Sequence, residues 1–549
     1  MSTTVAKFVV DQLIANGIDQ LYCLPGVQND PFFDALYDRK EELVPIHTRH
    51  EQGAAYMALG AALATGKQQA FCVVPGPGFL NACAALSTAY AVNAPVMAVV
   101  GQIPSGALGK GFGLLHEIND QIGTMRGLTK WANQIHSGEA AAKLIPEAFI
   151  ALNSGRPRPV GFEVPINVWR AEVTASGQMP QGENRPAVDN DKITAAARLL
   201  KNAKAPMIIV GGGAQDSSLE INLLAKALSA PVCAFRNGHG VVASDNPLSL
   251  NAPTAHKLWD KVDVVIGLGS RMQSQRMQWG NDENLKVIHI DIDETELTRI
   301  SYPTIGVHAD LHDALPALLA EIEGHEVTRS DWLQEVAETK ACMAAVVAQQ
   351  LAPQLAWLDA IRAELPREGL FVDELTQVGY VSRFAFPSYL PRTFLSTGYQ
   401  GTLGYGFATA LGAANARRDV PVVSIAGDGG ALFTMNELAT AVRHSIPLTS
   451  IVFNDNAFGN VRTLQRENFN ERYIASDLTS PDFVKMAEAF GARGMRAETP
   501  EHLRACLRTS FDNPAPTVIE VPVENFPSPW DFVLQPQVRG EIKGGPKVF

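Results

Sequence analysis

The chain has 549 residues, too many for one hydrophobic core, so two to four domains are expected. Its 46% hydrophobic content is that of an ordinary globular protein, and a net charge of −12 with no lysine/arginine block argues against nucleic acid or an acidic membrane surface as a partner. The six cysteines are scattered without a C-x-x-C pair, no charged-then-apolar leader opens the chain, and no apolar run approaches 18 residues, so a cytoplasmic protein without a membrane span is expected.

Strand and helix patterns alternate along the chain. Val5 to about Asn16 reads as a helix and Gln20–Leu24 as a strand, which Pro25-Gly26 breaks. A strand near Leu43–His47 leads into a small-residue helix, Glu51–Thr65, and buried strands follow at Ala70–Val74, Val96–Val100 and Val160–Val164. From about Ala171 to Pro186 the chain turns polar and reads as a linker. A second block has strands at Met207–Val210, Val262–Leu268 and Lys286–Ile292, then charged helical sequence over about His312–Ala352. A third has strands at Leu370–Val372, Thr393–Ser396, Val422–Ala426, Thr449–Phe453 and Thr517–Val521. The parse is α/β, with three doubly wound parallel-sheet domains at 1–180, 187–330 and 355–549.

The most specific feature is an acidic pair. The apolar strand Val422–Ala426 closes in Gly427-Asp428-Gly429-Gly430, and the next strand ends in Asn454-Asp455-Asn456-Ala457-Phe458-Gly459. Between them lies one helix, Asn436 to about His444, so both strand ends meet at one edge of a parallel sheet, where ligands gather. Glycines there let backbone N–H groups approach an anion, and carboxylates hold a hard cation against it. The pair predicts a magnesium–diphosphate site.

Glu51 opens a helix directly after a strand. An acidic residue there satisfies the helix dipole, but the alanine face beyond it shields the helix from water, where a carboxylate can act as a proton donor. Val74-Pro75-Gly76-Pro77-Gly78-Phe79-Leu80-Asn81 joins a strand to a helix through a rigid loop, either a structural turn or a cofactor lining. Gly398–Gly406 enters an alanine-rich helix, and Val210-Gly211-Gly212-Gly213 follows a strand; each fits close packing as well as a nucleotide loop, and neither completes a dinucleotide fingerprint.

Together these residues resemble the thiamine-diphosphate-dependent enzymes of the acetolactate synthase, pyruvate oxidase and benzoylformate decarboxylase group. The resemblance covers essentially the whole chain, in the order pyrimidine-binding, central and diphosphate-binding domain. It implies that Asp428, Asp455 and the Ala457 carbonyl hold Mg²⁺ with diphosphate oxygens; family members mostly carry Asn where this chain has Asp455. The implied cofactor contacts are Pro25, Gly26, Val74, Pro77, Asn81, Thr376, Gln377, Gly401, Leu403, Gly427, Gly429, Gly430, Phe458 and Gly459. Leu403 would prop the cofactor into its bent shape, and the Gly401 carbonyl would accept from its amino group. Glu51 would share a proton with the pyrimidine ring of a cofactor that attacks a 2-oxo acid. Family members set the first domain of one subunit against the third domain of another, which implies a homodimer or homotetramer.

Departures bear on the reaction. Where acetolactate synthases and pyruvate oxidases carry Phe-Gln-Glu, this chain has Leu115-His116-Glu117, so a catalytic imidazole at His116 would replace an amide. Gly269-Ser270-Arg271-Met272-Gln273 only partly resembles the flavin-contacting segment of acetolactate synthases, which leaves FAD open as a further cofactor. Phe526–Phe532 reads equally as a lid or as terminal packing. The expected activity is a decarboxylating carboligase or lyase on a small 2-oxo acid, nearest to acetolactate synthase. Alternatives are a non-ligating decarboxylase resembling benzoylformate decarboxylase, a nucleotide-dependent dehydrogenase, and a non-catalytic homologue, against which the presence of Glu51 and Asp428 argues.

Overall fold

A computed structural model describes residues 3–173, 185–324 and 327–540. It contains three six-stranded sheets flanked by helices, with every registered strand pair within them parallel, so the chain is α/β as its alternation predicts. The strands are β-branched runs buried on both faces, the pattern that helix-covered parallel sheets require.

Two compact units partition the chain. The first comprises Met1–Asn184, Leu370–Leu375 and Thr397–Val523. Its N-terminal sheet runs, from edge to edge, Val44–His47, Gln20–Cys23, Gln69–Val73, Val96–Gln102, Val160–Pro165, Trp131–Gln134. Its C-terminal sheet includes, in spatial order, Leu370–Val372, Val422–Gly427, Leu448–Asn454, Thr517–Pro522 and Arg493–Arg496. Gly427 pairs with Phe453 in register, so Asp428 and Asp455 leave the sheet from neighbouring strand ends.

Three helices of this unit position the residues of interest: α1 (Glu51–Thr65), α2 (Pro77–Val92) and α3 (Tyr405–Ala416). α1 is rich in alanine, is capped by His50 Nδ1 accepting from Gln52 N, and stops at Gly66 in a left-handed conformation (φ 70°). Twelve of its fifteen residues are buried, because α1 runs against α3 rather than along the surface. The two helices cross at glycines, with Gly60 against the Thr409 backbone and Gly412 against the Met57 backbone.

The second unit comprises Arg185–Gly369, Thr376–Ser396 and Glu524–Phe549. Its sheet runs Ser249–Leu250, Val232–Ala234, Pro206–Val210, Val264–Leu268, Lys286–Asp291, Ile305–His308, an order that reverses between Pro206–Val210 and Val264–Leu268. The helical stretch expected after it is present as Leu311–Ile322 and Ser330–Gln350.

Most predicted strands fall within one or two residues of those observed. Trp131–Gln134, Val232–Ala234, Ser249–Leu250, Ile305–His308 and Arg493–Arg496 are additional strands that the sequence reading does not include; each is four residues or fewer and lies at or next to a sheet edge. The helix expected from Asn436 is a 3₁₀ turn, Met435–Glu437, continued by Leu438–Arg443. The expected linker at 171–186 falls largely on residues 174–184, outside the described residues. Among the described residues no single helix is long and apolar enough to cross a membrane.

Candidate active site

Glu51 is the first residue of α1 and is buried, at 9% exposure. Asn81, on the second turn of α2, donates from Nδ2 to Glu51 Oε2 at 3.0 Å. Glu51 Oε1 has no hydrogen-bond partner among the described residues and lies beside Gly78, where an added Cβ would be 3.3 Å from it. Val74 packs against Gly78 and also Gly26, so the Pro25-Gly26 break and the Val74–Asn81 loop converge beside Glu51. Pro77 occupies the first turn of α2, where its missing N–H costs nothing.

Gly76 sets the loop's direction. Its backbone (φ 58°, ψ −117°) is open only to glycine, and an added Cβ would overlap the His116 carbonyl. Gly76 N donates to Gln121 Oε1 at 2.8 Å, and Gln121 Nε2 donates to Glu163 Oε2 at 2.9 Å. Gln102 and Gln134 also donate to the Glu163 carboxylate, whose carboxyl burial raises above its ordinary range. His116 is half-buried and left-handed (φ 69°). Gln28 Nε2 donates to Leu115 O at 3.1 Å, so Gln28 Oε1 faces His116 Nδ1 at 3.0 Å and requires a proton on that nitrogen. Neutral His116 then keeps its lone pair on Nε2. Glu51 and His116 thus flank one loop, at Gly78 and Gly76.

At the C-terminal sheet, Asp428 has no solvent exposure. Ser480 Oγ donates to its Oδ2, while Oδ1 is buried without a partner. Burial raises the carboxyl, and hydrogen bonding, from Ser480 first and then from the Gly429 N–H, opposes that. Asp455 Oδ1 accepts from Ala457 N at 3.2 Å, Phe458 N bonds Ser476 O, and Asn456 O accepts from Leu478 N, which closes the 454–459 turn onto the 476–480 segment. Two adjacent carboxylates, one with an orphaned buried oxygen, form a donor set that suits a hard cation completed by a phosphate. Among the described residues no group of three or more His, Cys, Asp or Glu forms a site, so an ion here needs carbonyl and ligand oxygens as well.

The flanking glycines are tightly covered. Gly429 lies under the Phe458 ring, just before Gly459, and Gly430 lies against Glu374 and Leu403. Gly427 ends the strand, Gly401 (φ 58°) faces Leu375, and half-buried Leu403 precedes α3. Thr402 is tied to α2 through a 3.0 Å hydroxyl contact with Thr88. Sequence reasoning missed Glu374. It is fully buried and accepts from Gly404 N at 2.9 Å and Gly406 N at 2.7 Å; burial pushes its carboxyl up to about 7. Its signal was available: Asp373-Glu374 closes an apolar strand as Asp428 does. Ser480 lies too far along the chain for any local pattern to have marked it.

In the second unit, Thr376 is the buried N-cap of helix Gln377–Ala385, and Gln377 Oε1 accepts from Phe526 N at 2.9 Å. Trp530 packs on Tyr380 and Phe532 on Phe384, and Arg539 donates to the carbonyls of Trp259, Asp260 and Val262. Residues 526–539 therefore pack within their own unit. Gly211 and Gly213 lie against the backbone of Gly269 and Ser270, and Met272 is buried beside Gly267, so these glycines serve loop-on-loop packing.

Three family models match the chain: the thiamine pyrophosphate enzyme N-terminal TPP binding domain at residues 3–124, the central domain at 193–318 and the C-terminal TPP binding domain at 376–521. The chain belongs to the thiamine pyrophosphate (thiamine diphosphate) enzyme family and is an enzyme dependent on that cofactor. Within the family it is acetolactate synthase-like. It is 30% identical to a probable acetolactate synthase large subunit of Methanocaldococcus jannaschii, over 94% of this chain and 92% of the relative. It is also 30% identical to the acetolactate synthase isozyme 2 large subunit of Escherichia coli, over 96% and 97%. A probable 2-ketoarginine decarboxylase AruI of Pseudomonas aeruginosa is 31% identical over 94% of each chain.

Proposed function

We propose that this protein is a magnesium-dependent decarboxylating carboligase or lyase acting on a small 2-oxo acid. The observation that carries the reading is Glu51: a buried carboxylate with one oxygen held by Asn81 and the other open beside the Gly76–Gly78 loop. Bound thiamine diphosphate supplies the carbon nucleophile and the electron sink for loss of CO₂. Glu51 holds a proton at Oε1 and passes it to and from the ring bound there, with Asn81 keeping the carboxylate oriented. Asp428 and Asp455, with the Ala457 carbonyl, hold the magnesium ion, and the turns at Gly427–Gly430 and Phe458–Gly459 receive the diphosphate. Thr376 and Gln377 are proposed diphosphate contacts. Leu403 and the Gly401 carbonyl shape the site, while Pro25, Gly26, Val74 and Pro77 line its other side. His116, through Nε2, accepts or delivers a proton at the substrate. The proposed reaction needs no flavin.

The proposed assembly is a homodimer or homotetramer in the cytoplasm, built from three-domain chains, with each active site at a subunit interface between the first domain of one copy and the third domain of another. Phe112 and Leu115 beside His116, and Leu432 and Phe433 just after Gly430, are large apolar side chains 52% to 65% exposed, apart from Leu432 at 44%. A second copy covering them would remove apolar surface from water. The decarboxylase relative and the imidazole at 116 support a second reading, a non-ligating 2-oxo acid decarboxylase. Purified protein supplied with thiamine diphosphate, Mg²⁺ and a panel of 2-oxo acids should release CO₂. A C–C ligated product supports the carboligase and free aldehyde the simple decarboxylase; no CO₂ from any acid sinks both.

A further inference from the structure

The start of α1 is held from outside its own domain. N–H groups at a helix start have no partner within the helix. Here Arg49 N lies 3.0 Å from Glu437 Oε2, and His50 N lies 2.9 Å from Glu437 Oε1. Glu437 has no solvent exposure, and Thr440 Oγ1 also donates to it. Gly53 admits the carboxylate, because a Cβ there would overlap Glu437 Oε1 and crowd its Cδ. Glycine is a poor helix former, and this contact is a physical reason for one in an alanine-rich helix. Glu437 ends a short hydrogen-bonded run from Asp428: Phe433 N bonds Gly430 O, Thr434 N bonds Ala431 O, and Glu437 N bonds Thr434 O. Thr434 Oγ1 anchors that run to Gly404 O at 3.0 Å.

We propose that Glu437 is a positioning residue for Glu51: it clamps the backbone immediately before Glu51 and, through the hydrogen-bonded 428–437 run, ties the proton-handling carboxylate of one active site to the metal-holding carboxylate that the same chain gives to the neighbouring site. This rests on the function proposed above. A negative charge at a helix start is favourable, and an amide in its place would aim its own N–H₂ at backbone donors.

The test compares wild type with E437Q and G53A. In cofactor-free protein, hydrogen–deuterium exchange of the amides at 49–52 should rise about tenfold or more in both variants. In holoenzyme, exchange of the reactive thiazolium proton, followed by NMR, should fall about tenfold or more, with cofactor Kd within about threefold of wild type. G53A separates positioning from general stability, since alanine favours the helix and a merely structural role predicts slower amide exchange. Wild-type rates of both exchanges in either variant overturn the proposal. If E437Q also loses protection along Val422–Gly427, G53A, which keeps every carboxylate, decides. Wild-type protein that binds no thiamine diphosphate would overturn the proposed function instead, and the amide measurement would still judge the clamp.

Discussion

Gly60 of α1 rests directly on the Thr409 carbonyl of α3, and no side chain fits between them. The reciprocal contact, Gly412 on Met57, lies nearby along the same crossing. Since α1 starts at Glu51 and α3 starts just after Leu403, this crossing sets the spacing of residues more than 350 positions apart in the chain. Gly60→Ala forces the backbones apart and should cost about 1–3 kcal/mol, with a lower thermal midpoint. A variant melting at the wild-type temperature would show that the helices have room to spare.

Glu51→Gln keeps the shape of the side chain and the Asn81 contact but removes the exchangeable proton. Cofactor affinity should stay near wild type while turnover drops by roughly 10²–10⁴. Calorimetric titration with thiamine diphosphate, run beside steady-state CO₂ release, separates the two. Turnover at the wild-type level would take Glu51 out of the mechanism.

Asp428→Ala removes the carboxylate whose Oδ1 is buried without a partner. Magnesium and thiamine diphosphate should weaken together, by about tenfold or more each, because each depends on the other's charge. Asp455→Asn, which leaves an oxygen donor and sheds one negative charge, should bind the pair with far less change. Equal retention of cofactor by wild type and Asp428→Ala after dialysis against a chelator would contradict the assignment.

Glu374 makes a pH prediction. Its folded-state carboxyl sits at about 7, above the ordinary 4.5, mainly through burial, while Gly404 and Gly406 N–H groups oppose the rise and Asp373 adds to it. The folded protein therefore keeps a proton that the unfolded chain has released, and its stability falls as pH rises from about 4.5 to 7, with the penalty complete above that. The upper bound is about 3 kcal/mol. Cofactor-free Glu374→Gln should show a shallower fall in thermal midpoint between pH 5 and 8 than wild type. Parallel curves would mean that Glu374 does not titrate in that window.

The α/β class, most strands and the helix bounds of α1 were legible because each rests on local chemistry: apolar runs four to seven residues long, glycine stops and an alanine-rich helix. Asp428 and Asp455 were legible as a pair because neighbouring parallel strands deliver their C-terminal ends to one edge whatever else the chain does. What pairs with them was not. Ser480 on Asp428, Gln28 on His116 and Glu437 on the start of α1 join segments 52, 88 and 387 positions apart, and none is marked by a spacing.

The amino-acid order by itself determined which segments become strands and helices and which carboxylates stand at strand ends, since backbone preference and hydrophobic period act over a few residues. Tertiary structure alone decided which buried polar atoms are satisfied and which are left open, as at Asp428 Oδ1, because that depends on groups brought together only when the helices and sheets pack.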